Sequence, residues 1–372
     1  MKCLVACNEQ TRSMLVDSGQ FMAFNVEDTV THIGLIDQPD IQFDKTDPNN
    51  ATRVFIEVSA FSCNYREKSR MVKAALRQEI GFTILGSEFV AKVIDIGPAV
   101  TDFKVGDRVI GNGCVDLHIA QPGLSTQRAS SQLQIIAQEK LISIPHTMSD
   151  TVAAAFSVGA QTAYSMANRL PTKENEHVLI TAATSNTSLF AIKALLNRNV
   201  HVHALTTNSS MVEHLSAMGV QHICLINKNG VFDEQLKNYL TSKNIKYFDH
   251  IIDPFFDVYL CKLIRHIRRF GSYITCGVAQ QTATSKCDSF TSQGLPMSEV
   301  FSLIIRKSIS LVGNNLGITA DLKNALEDYS AGKIQVDIDK TVINGDLQNF
   351  LTHTFQGVNR FGKVVFGYGS RP

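Results

Sequence analysis

From Arg53 onward, apolar and polar positions alternate in short runs: RVFIEVSAF (53–61), FVAKVIDIG (89–97), DRVIGNG (107–113) and KLISIP (140–145). Apolar residues at every second position line one face of a strand. Gly97-Pro98, Gly106-Asp107 and Pro122-Gly123 supply turns between them. The pattern predicts a small, mostly antiparallel β domain. After Ser149-Asp150, which offers an N-cap, the period becomes helical in TVAAAFSVGAQTAYSMANRL (151–170). From His177, apolar strand-length runs alternate with helical ones. HVLITAA, HVHALTT, HICLIN, FDHIIDPF, SYITCGV and SISLVGNN read as strands. LFAIKALLNRN (189–199), SSMVEHLSAMG, VFDEQLKNYLTSKN and YLCKLIRHIRRFG (259–271, closed by Gly271) read as helices. Six such strands with helices between them predict an α/β doubly wound parallel sheet. Residues 1–50 hold short strand-like pieces. The tail from Ile318 holds one helix (321–333) and two or three strands.

A chain of 372 residues fits two domains, and 44% hydrophobic with 19% charged residues is a globular balance. The formal net charge of +1 gives no broad attraction to nucleic acid or membrane, so neither is an expected partner. No apolar run reaches the ~18 residues that span a bilayer. MKCLVAC superficially resembles a lipoprotein cleavage box ending at Cys7, but leaves no room for an apolar signal region. A cytoplasmic protein is expected. Eight cysteines without a CxxC pair read as buried free thiols. The histidines, among them His118, His146, His177, His201 and His203, show no metal-ligand spacing and read as surface or strand-end residues. No Ser/His/Asp arrangement is recognisable.

The turn after the strand at His177 is Ala182, Ala183, Thr184, Ser185, Asn186, Thr187, Ser188. Phosphate-binding turns of this kind usually carry GxGxxG, in which glycines allow close backbone approach. Here alanine and serine are the nearest substitutes. Ser188 stands at the last glycine and adds a Cβ and a hydroxyl. Thr184, Ser185, Thr187 and Ser188 offer hydroxyl donors to phosphate. At the end of the second strand, Leu205-Thr206-Thr207-Asn208-Ser209-Ser210 carries no acid to accept ribose hydroxyls. That absence favours NADPH over NADH, held through Thr206, Asn208, Ser209 and Ser210. A turn that binds dinucleotide and a degenerate one that binds nothing both remain open.

GSEFVAKVIDIGPAVTDFKVGDRV (Gly86–Val109), AAAFSVGAQTAY (Ala153–Tyr164) and NRFGKVVF (Asn359–Phe366) occur in an order that resembles the medium-chain dehydrogenase/reductase superfamily. The resemblance runs from about Arg53 to Phe366. It implies a GroES-like domain (1–152 and 318–372) around a Rossmann domain (153–317). The zinc enzymes of that superfamily carry GHE where this chain has Gly86-Ser87-Glu88, and a serine hydroxyl is a poor zinc ligand. Their structural-zinc lobe has four cysteines where this chain has only Cys114. No metal site is therefore expected. SAFSCNYREK (Ser59–Lys68) resembles the LNyRD segment of quinone and enoyl reductases, with Asn64, Tyr65 and Arg66 in place, Glu67 for the acid and Cys63 as a packing residue.

The resemblance implies catalytic roles for Asn64 and Tyr65 and an ion pair between Arg66 and Glu67. It implies cofactor contacts from Thr162, the turn 183–188, Gly277, Val278, Asn314, Asn315 and Lys363, the last to a phosphate. The basic residues that clamp a 2′-phosphate in relatives are absent: Asn208 and Val212 stand near their places. The expected activity is NADPH-dependent, zinc-independent hydride transfer to an activated C=C of a small-molecule or carrier-bound substrate. The rivals are a quinone or carbonyl reductase using the same site, and a non-catalytic binding protein with a degenerate nucleotide site. Substrate choice is expected in the loops Met71–Thr83 and Leu124–Gln138, with Gln280–Val300 as a cover. By analogy with relatives that pair through the sixth strand, a homodimer is expected.

Overall fold

A computed structural model describes residues 1–114, 127–227, 229–279, 294–343, 345–357 and 359–369. His118, Cys287, the start of the 124–138 loop and residues 280–293 of the expected cover lie outside the described residues. The chain divides into two compact units. One comprises Met1–Val158, Ile338–Val358 and Lys363–Pro372; the other comprises Gly159–Asp337 and Asn359–Gly362.

The first unit holds two sheets. Lys2–Cys7 lies inside a four-stranded sheet ordered Gly19–Val26, Thr29–Asp37, Lys2–Cys7, Phe82–Ile84. The run CLVAC is fully buried. Alternation sends Leu4 and Ala6 into the main core, and Cys3 and Val5 against Ile36. The larger sheet runs Ile338–Ile343, Lys363–Gly367, Arg53–Ser62, Glu88–Ile96, Arg108–Gly111, Leu141–Ser143, and Leu133–Ala137 also pairs with Arg53–Ser62. Its four predicted strands are present. Leu133–Ala137 is an additional strand within the expected pocket loop. The C-terminal strand returns to the N-terminal half through Phe366↔Phe61. There Phe61, Phe350 and Phe366 pack with ring centroids 5.2–5.6 Å apart. Ile338–Ile343 and Lys363–Gly367 are parallel and so need a crossover. The helix Leu347–Phe355, capped by Asp346, lies in that connection. The expected loop Met71–Thr83 begins inside the helix Glu67–Ala75, whose Met71, Val72 and Ala74 are core residues.

The second unit is a six-stranded parallel Rossmann sheet. Its order is His222–Leu225, His201–Thr206, His177–Ile180, Phe248–Asp253, Ile267–Thr275, Ser310–Gly313. In chain order this is 3-2-1-4-5-6, with its switch point between the first and fourth strands. Three details depart from the sequence reading. The helix predicted over 151–170 is two helices, Asp150–Ala153 and Ser157–Arg169, the first capped by Ser149. The helix predicted over 259–271 stops at Leu263, and Ile267 already pairs with Phe248 in the fifth strand. Pairing resumes at Ser272 opposite His250, so Arg268–Gly271 form a bulge, with Phe270 in a left-handed conformation (φ 61°). The helix Thr319–Ser330, expected with the β domain, belongs to this unit. Tyr164 donates to Asp328 and Asn168 to Asp321, both at 2.8 Å. The boundaries therefore fall at 158 and 338 instead of 152 and 318.

The described cysteines other than Cys276 are buried, and all are free. No helix among the described residues is long and apolar enough to cross a membrane. Removing the Phe366 ring takes away its contacts to both Phe61 and Phe350. Phe366→Ala should cost about 3–5 kcal/mol in urea unfolding; a loss below about 1 kcal/mol would contradict this packing.

Candidate active site

In the first unit, the strand Arg53–Ser62 ends beside the strand Glu88–Ile96, with Ser62 paired to Glu88. The chain then turns through Cys63–Arg66 into the helix Glu67–Ala75. The Glu88 side chain is fully buried and accepts from Lys363 Nζ at 2.6 Å, Asn64 Nδ2 at 3.1 Å and the Val158 amide at 2.8 Å. Lys363 Nζ also donates to Asn64 Oδ1 at 2.5 Å. A second buried carboxylate, Glu67, accepts from Ser87 Oγ at 2.8 Å and lies 3.4 Å from both Arg66 Nε and Arg70 Nε. Ser87 Oγ accepts in turn from the Asn64 amide at 3.2 Å. A buried carboxylate needs a countercharge and hydrogen bonds. Here Lys363 serves Glu88, and the two arginines serve Glu67.

This arrangement does not fit a catalytic zinc. The Cys63 thiol is buried, and that burial, helped by the nearby Glu67, pushes it well above its ordinary range. A zinc ligand must be a thiolate. Ser87 occupies the expected histidine position and is engaged with Glu67. Among the described residues, no group of three or more His, Cys, Asp or Glu is placed to hold a metal ion.

Lys363, expected to meet a phosphate, is instead buried against Glu88 and Asn64. The Asn64 amide is occupied at its oxygen by Lys363 and at its nitrogen by Glu88, so it braces the loop. Tyr65, half-buried beside it, carries the Lys68 ammonium 4.6 Å from its ring centroid.

In the second unit, the glycine-free turn keeps the backbone path that glycine usually supplies. Ala182 is left-handed, with φ 46°. The Ala183 amide donates to Leu205 O at 3.0 Å, tying the turn to the neighbouring strand. Ser185 caps the helix Asn186–Leu196, accepting from the Ser188 amide at 3.3 Å. Ser188 Oγ donates to Thr181 O at 2.8 Å and is also bonded to Ser185 Oγ at 2.9 Å. The hydroxyl at the missing glycine therefore locks the helix start to the strand end; it does not face outward as expected. Thr184 and Thr187 are half-buried, and Asn186 and Ala183 are buried. Beneath the turn, Asp253 accepts from Thr181 Oγ1 at 2.5 Å and from the Tyr273 hydroxyl. Burial pushes its carboxyl up to about 6, against the pull of these bonds.

The other expected contacts divide into braces and open positions. Thr206 is buried and accepts from the Asn208 amide at 3.1 Å. Asn208 Oδ1 accepts from the Ser210 amide and hydroxyl at 3.1 and 2.7 Å, while Ser209 and Ser210 are exposed. Asn314 is a brace, accepting from Ser165 and Arg169; Asn315 is exposed. Thr162 is buried, and Gly277 and Val278 are half-buried. Sequence reasoning missed the segment Asn359–Gly362, which runs along the turn. The Gly362 amide donates to Thr184 O at 3.0 Å, Asn208 Nδ2 donates to Asn359 Oδ1 at 3.3 Å, and Phe361 packs on His214 at 5.2 Å. Its only signal was its position before the terminal GKVV. The turn, its helix N-terminus and the acid-free loop fit a dinucleotide's pyrophosphate and ribose.

Residues 50–146 match the alcohol dehydrogenase GroES-like domain family. The chain is 27% identical over 180 residues to an L-threonine 3-dehydrogenase of Protochlamydia amoebophila, a match covering 44% of this chain and 50% of that protein. It is 28% identical over 143 residues to a mycocerosic acid synthase-like polyketide synthase of Mycobacterium tuberculosis, covering 37% of this chain and 6% of that protein. The chain thus spans half or less of these relatives. A putative quinone oxidoreductase, YhfP, of Bacillus subtilis is 22% identical over 352 residues, covering 90% and 94% of the two chains. The fold matches an NAD-dependent alcohol dehydrogenase (TM-score 0.74, 19% identity, 91% and 96% covered). It also matches the CurK enoyl reductase (TM-score 0.68, 18% identity, 90% and 95% covered).

Two stability predictions follow from these geometries. Ala182→Gly should stabilise the protein by ~1 kcal/mol by relieving the left-handed alanine; a lower melting temperature would contradict this. Lys363→Met should cost about 3–5 kcal/mol by stranding Glu88, and adding Glu88→Gln should recover most of the loss. Equal stability of the single and double variants in urea would contradict the pairing.

Proposed function

We propose that this chain, a member of the medium-chain dehydrogenase/reductase superfamily, is a zinc-independent oxidoreductase that uses NADPH to reduce an activated carbon–carbon double bond. The observation that carries the reading is the buried Glu88–Lys363–Asn64 cluster with Ser87 on Glu67. An internal ammonium and a hydroxyl occupy the loop where the zinc branch would bind its metal. Bound NADPH supplies the hydride. The Tyr65 hydroxyl donates to the carbonyl oxygen as enolate charge develops, and the product takes one hydride and one proton. Asn64, held by Glu88 and Lys363, keeps the Tyr65 loop fixed.

Thr184 and Thr187, half-buried at the helix start, hold the pyrophosphate, while Ala183, tied to Leu205 O, shapes the turn. Asn208, Ser209 and Ser210 take the ribose end, where no carboxylate repels a 2′-phosphate. A quinone is the second substrate class, favoured by the near full-length similarity to YhfP. The substrate is a small molecule or a carrier-bound acyl group. The free buried thiols support a reducing, cytoplasmic setting. A homodimer is supported by Ser310–Gly313, an edge strand of the sheet among the described residues, and by the preceding helix, which exposes Met297, Phe301 and Ile305.

With enones, quinones and aldehydes offered in turn with NADPH, enones should give the highest kcat/KM; turnover of aldehydes alone would overturn the reading. Tyr65→Phe should lower kcat about 10–100-fold while leaving the NADPH Kd unchanged. NADPH should bind at least about tenfold more tightly than NADH in a fluorescence titration, a difference near 1.4 kcal/mol; tighter NADH binding would contradict the assignment of the acid-free loop.

A further inference from the structure

The Rossmann sheet carries a second cluster of titratable groups at the ends of its strands opposite the nucleotide turn. His177, His201 and His222 open the first, second and third strands, and His203 stands two residues further along the second. Register pairs His177 with His201 and His203 with His222. Residues two apart on a strand share a face, as do lateral partners, so all four imidazoles lie on one face of the sheet. Their rings stack: His177 on His201 at 4.8 Å and 20°, His203 on His222 at 4.7 Å and 15°. His177 Nδ1 lies 2.9 Å from His203 Nε2, and His203 Nδ1 lies 2.7 Å from the Tyr239 hydroxyl. Stacked rings do not converge their nitrogens on a common point, in agreement with the lack of a metal-holding group among the described residues.

We propose that this stack is an acid-sensitive clasp: it holds the amino ends of three strands together while its imidazoles are neutral and loosens the Rossmann unit when they take up protons. His203 is fully buried, and among the described residues its ring nitrogens face His177 and the Tyr239 hydroxyl, not a carboxylate. Around the stack are Tyr239 and Lys243 from the helix Phe232–Ser242 and its cap, Cys224 from the third strand, and Phe248 and Asp249 from the fourth. Cys224 is a neutral thiol, pushed up to about 12 by burial. Lys243 adds a positive charge that opposes protonation of His203 and His222. Asp249 accepts the His177 amide at 2.7 Å and is ion-paired with Arg268. Glu176, next in the chain, is bonded to Arg268 at 2.6 Å and to His250 at 3.1 Å. Each of these acids is engaged by Arg268, and Asp249 still pulls His177 upward against the larger effect of burial.

Burial, then the neighbouring histidines and lysine, push His203 down to about 2. Burial is the leading cause that lowers His177 and His222 as well. Histidines of the unfolded chain take up protons near pH 6.5. The folded groups resist until lower pH, so below pH ~6.5 proton uptake favours unfolding, and the loss grows as pH falls toward the folded values. Asp253 acts in the opposite sense, since its raised carboxyl loses stabilisation as pH rises from ~4 to ~6. It cancels when variants that keep it are compared.

The test is thermal unfolding of the full chain at pH 7.5 and 5.5, for the native protein and for His203→Gln combined with His222→Gln. The native melting temperature should fall by roughly 5–10 °C, and the double variant should lose measurably less, keeping only the share due to His177, His250 and His266, which burial also lowers. Equal losses in the two proteins would overturn the proposal. If the variant does not fold, imidazole ¹⁵N shifts of the native protein decide: His203 still neutral at pH 5 supports the clasp, and titration at about pH 6 or above overturns it.

Discussion

The first unit depends on one ion pair. Glu88 is sealed inside the β domain, and a carboxylate in such a place is tolerable only beside a fixed countercharge. Lys363 comes from the last strand, 275 residues further along the chain. The same ammonium holds Asn64, and the Asn64 amide holds Ser87, which reaches Glu67. Strand pairing, loop shape and the electrostatics of the site are thereby one network. This explains how a chain lacking the zinc-binding histidine can still present an ordered Tyr65 loop.

The second unit solves a different problem. A strand–turn–helix connection of this kind without glycine must still take a left-handed step and bring helix and strand close together. Ala182 accepts the conformational strain. Ser188, too large for a bare helix–strand contact, directs its hydroxyl to the Thr181 carbonyl and turns the extra atoms into a bond. Four serine and threonine hydroxyls looked interchangeable as phosphate donors, but two of them are occupied in building the turn. The proposed phosphate contacts are therefore left to the backbone, the helix terminus and Thr184 and Thr187.

Much of this architecture was legible because its signals are periodic. The alternating runs from Arg53 and the strand–helix alternation from His177 mark the larger β sheet and the Rossmann sheet, and Ser87 announced the altered loop. What was not legible depends on long-range pairing. Ile267–Phe270 continue a helical pattern, but Ile267 finds Phe248 and becomes strand. Lys363 looked like a phosphate ligand because its burial beside Glu88 is invisible locally. His177, His201, His203 and His222 looked unrelated because their spacing of 24, 2 and 19 residues acquires meaning only when three parallel strands align their starts.

The central claim is that hydride transfer here proceeds with an internal Lys363–Glu88 pair where relatives of the zinc branch use a metal. It is tested most directly by counting zinc in the same purified sample, after exhaustive chelation, whose enone reduction by NADPH is measured. Full turnover at less than about a tenth of a zinc per chain is the predicted result. Turnover that vanishes on chelation and returns in proportion to added zinc would contradict it.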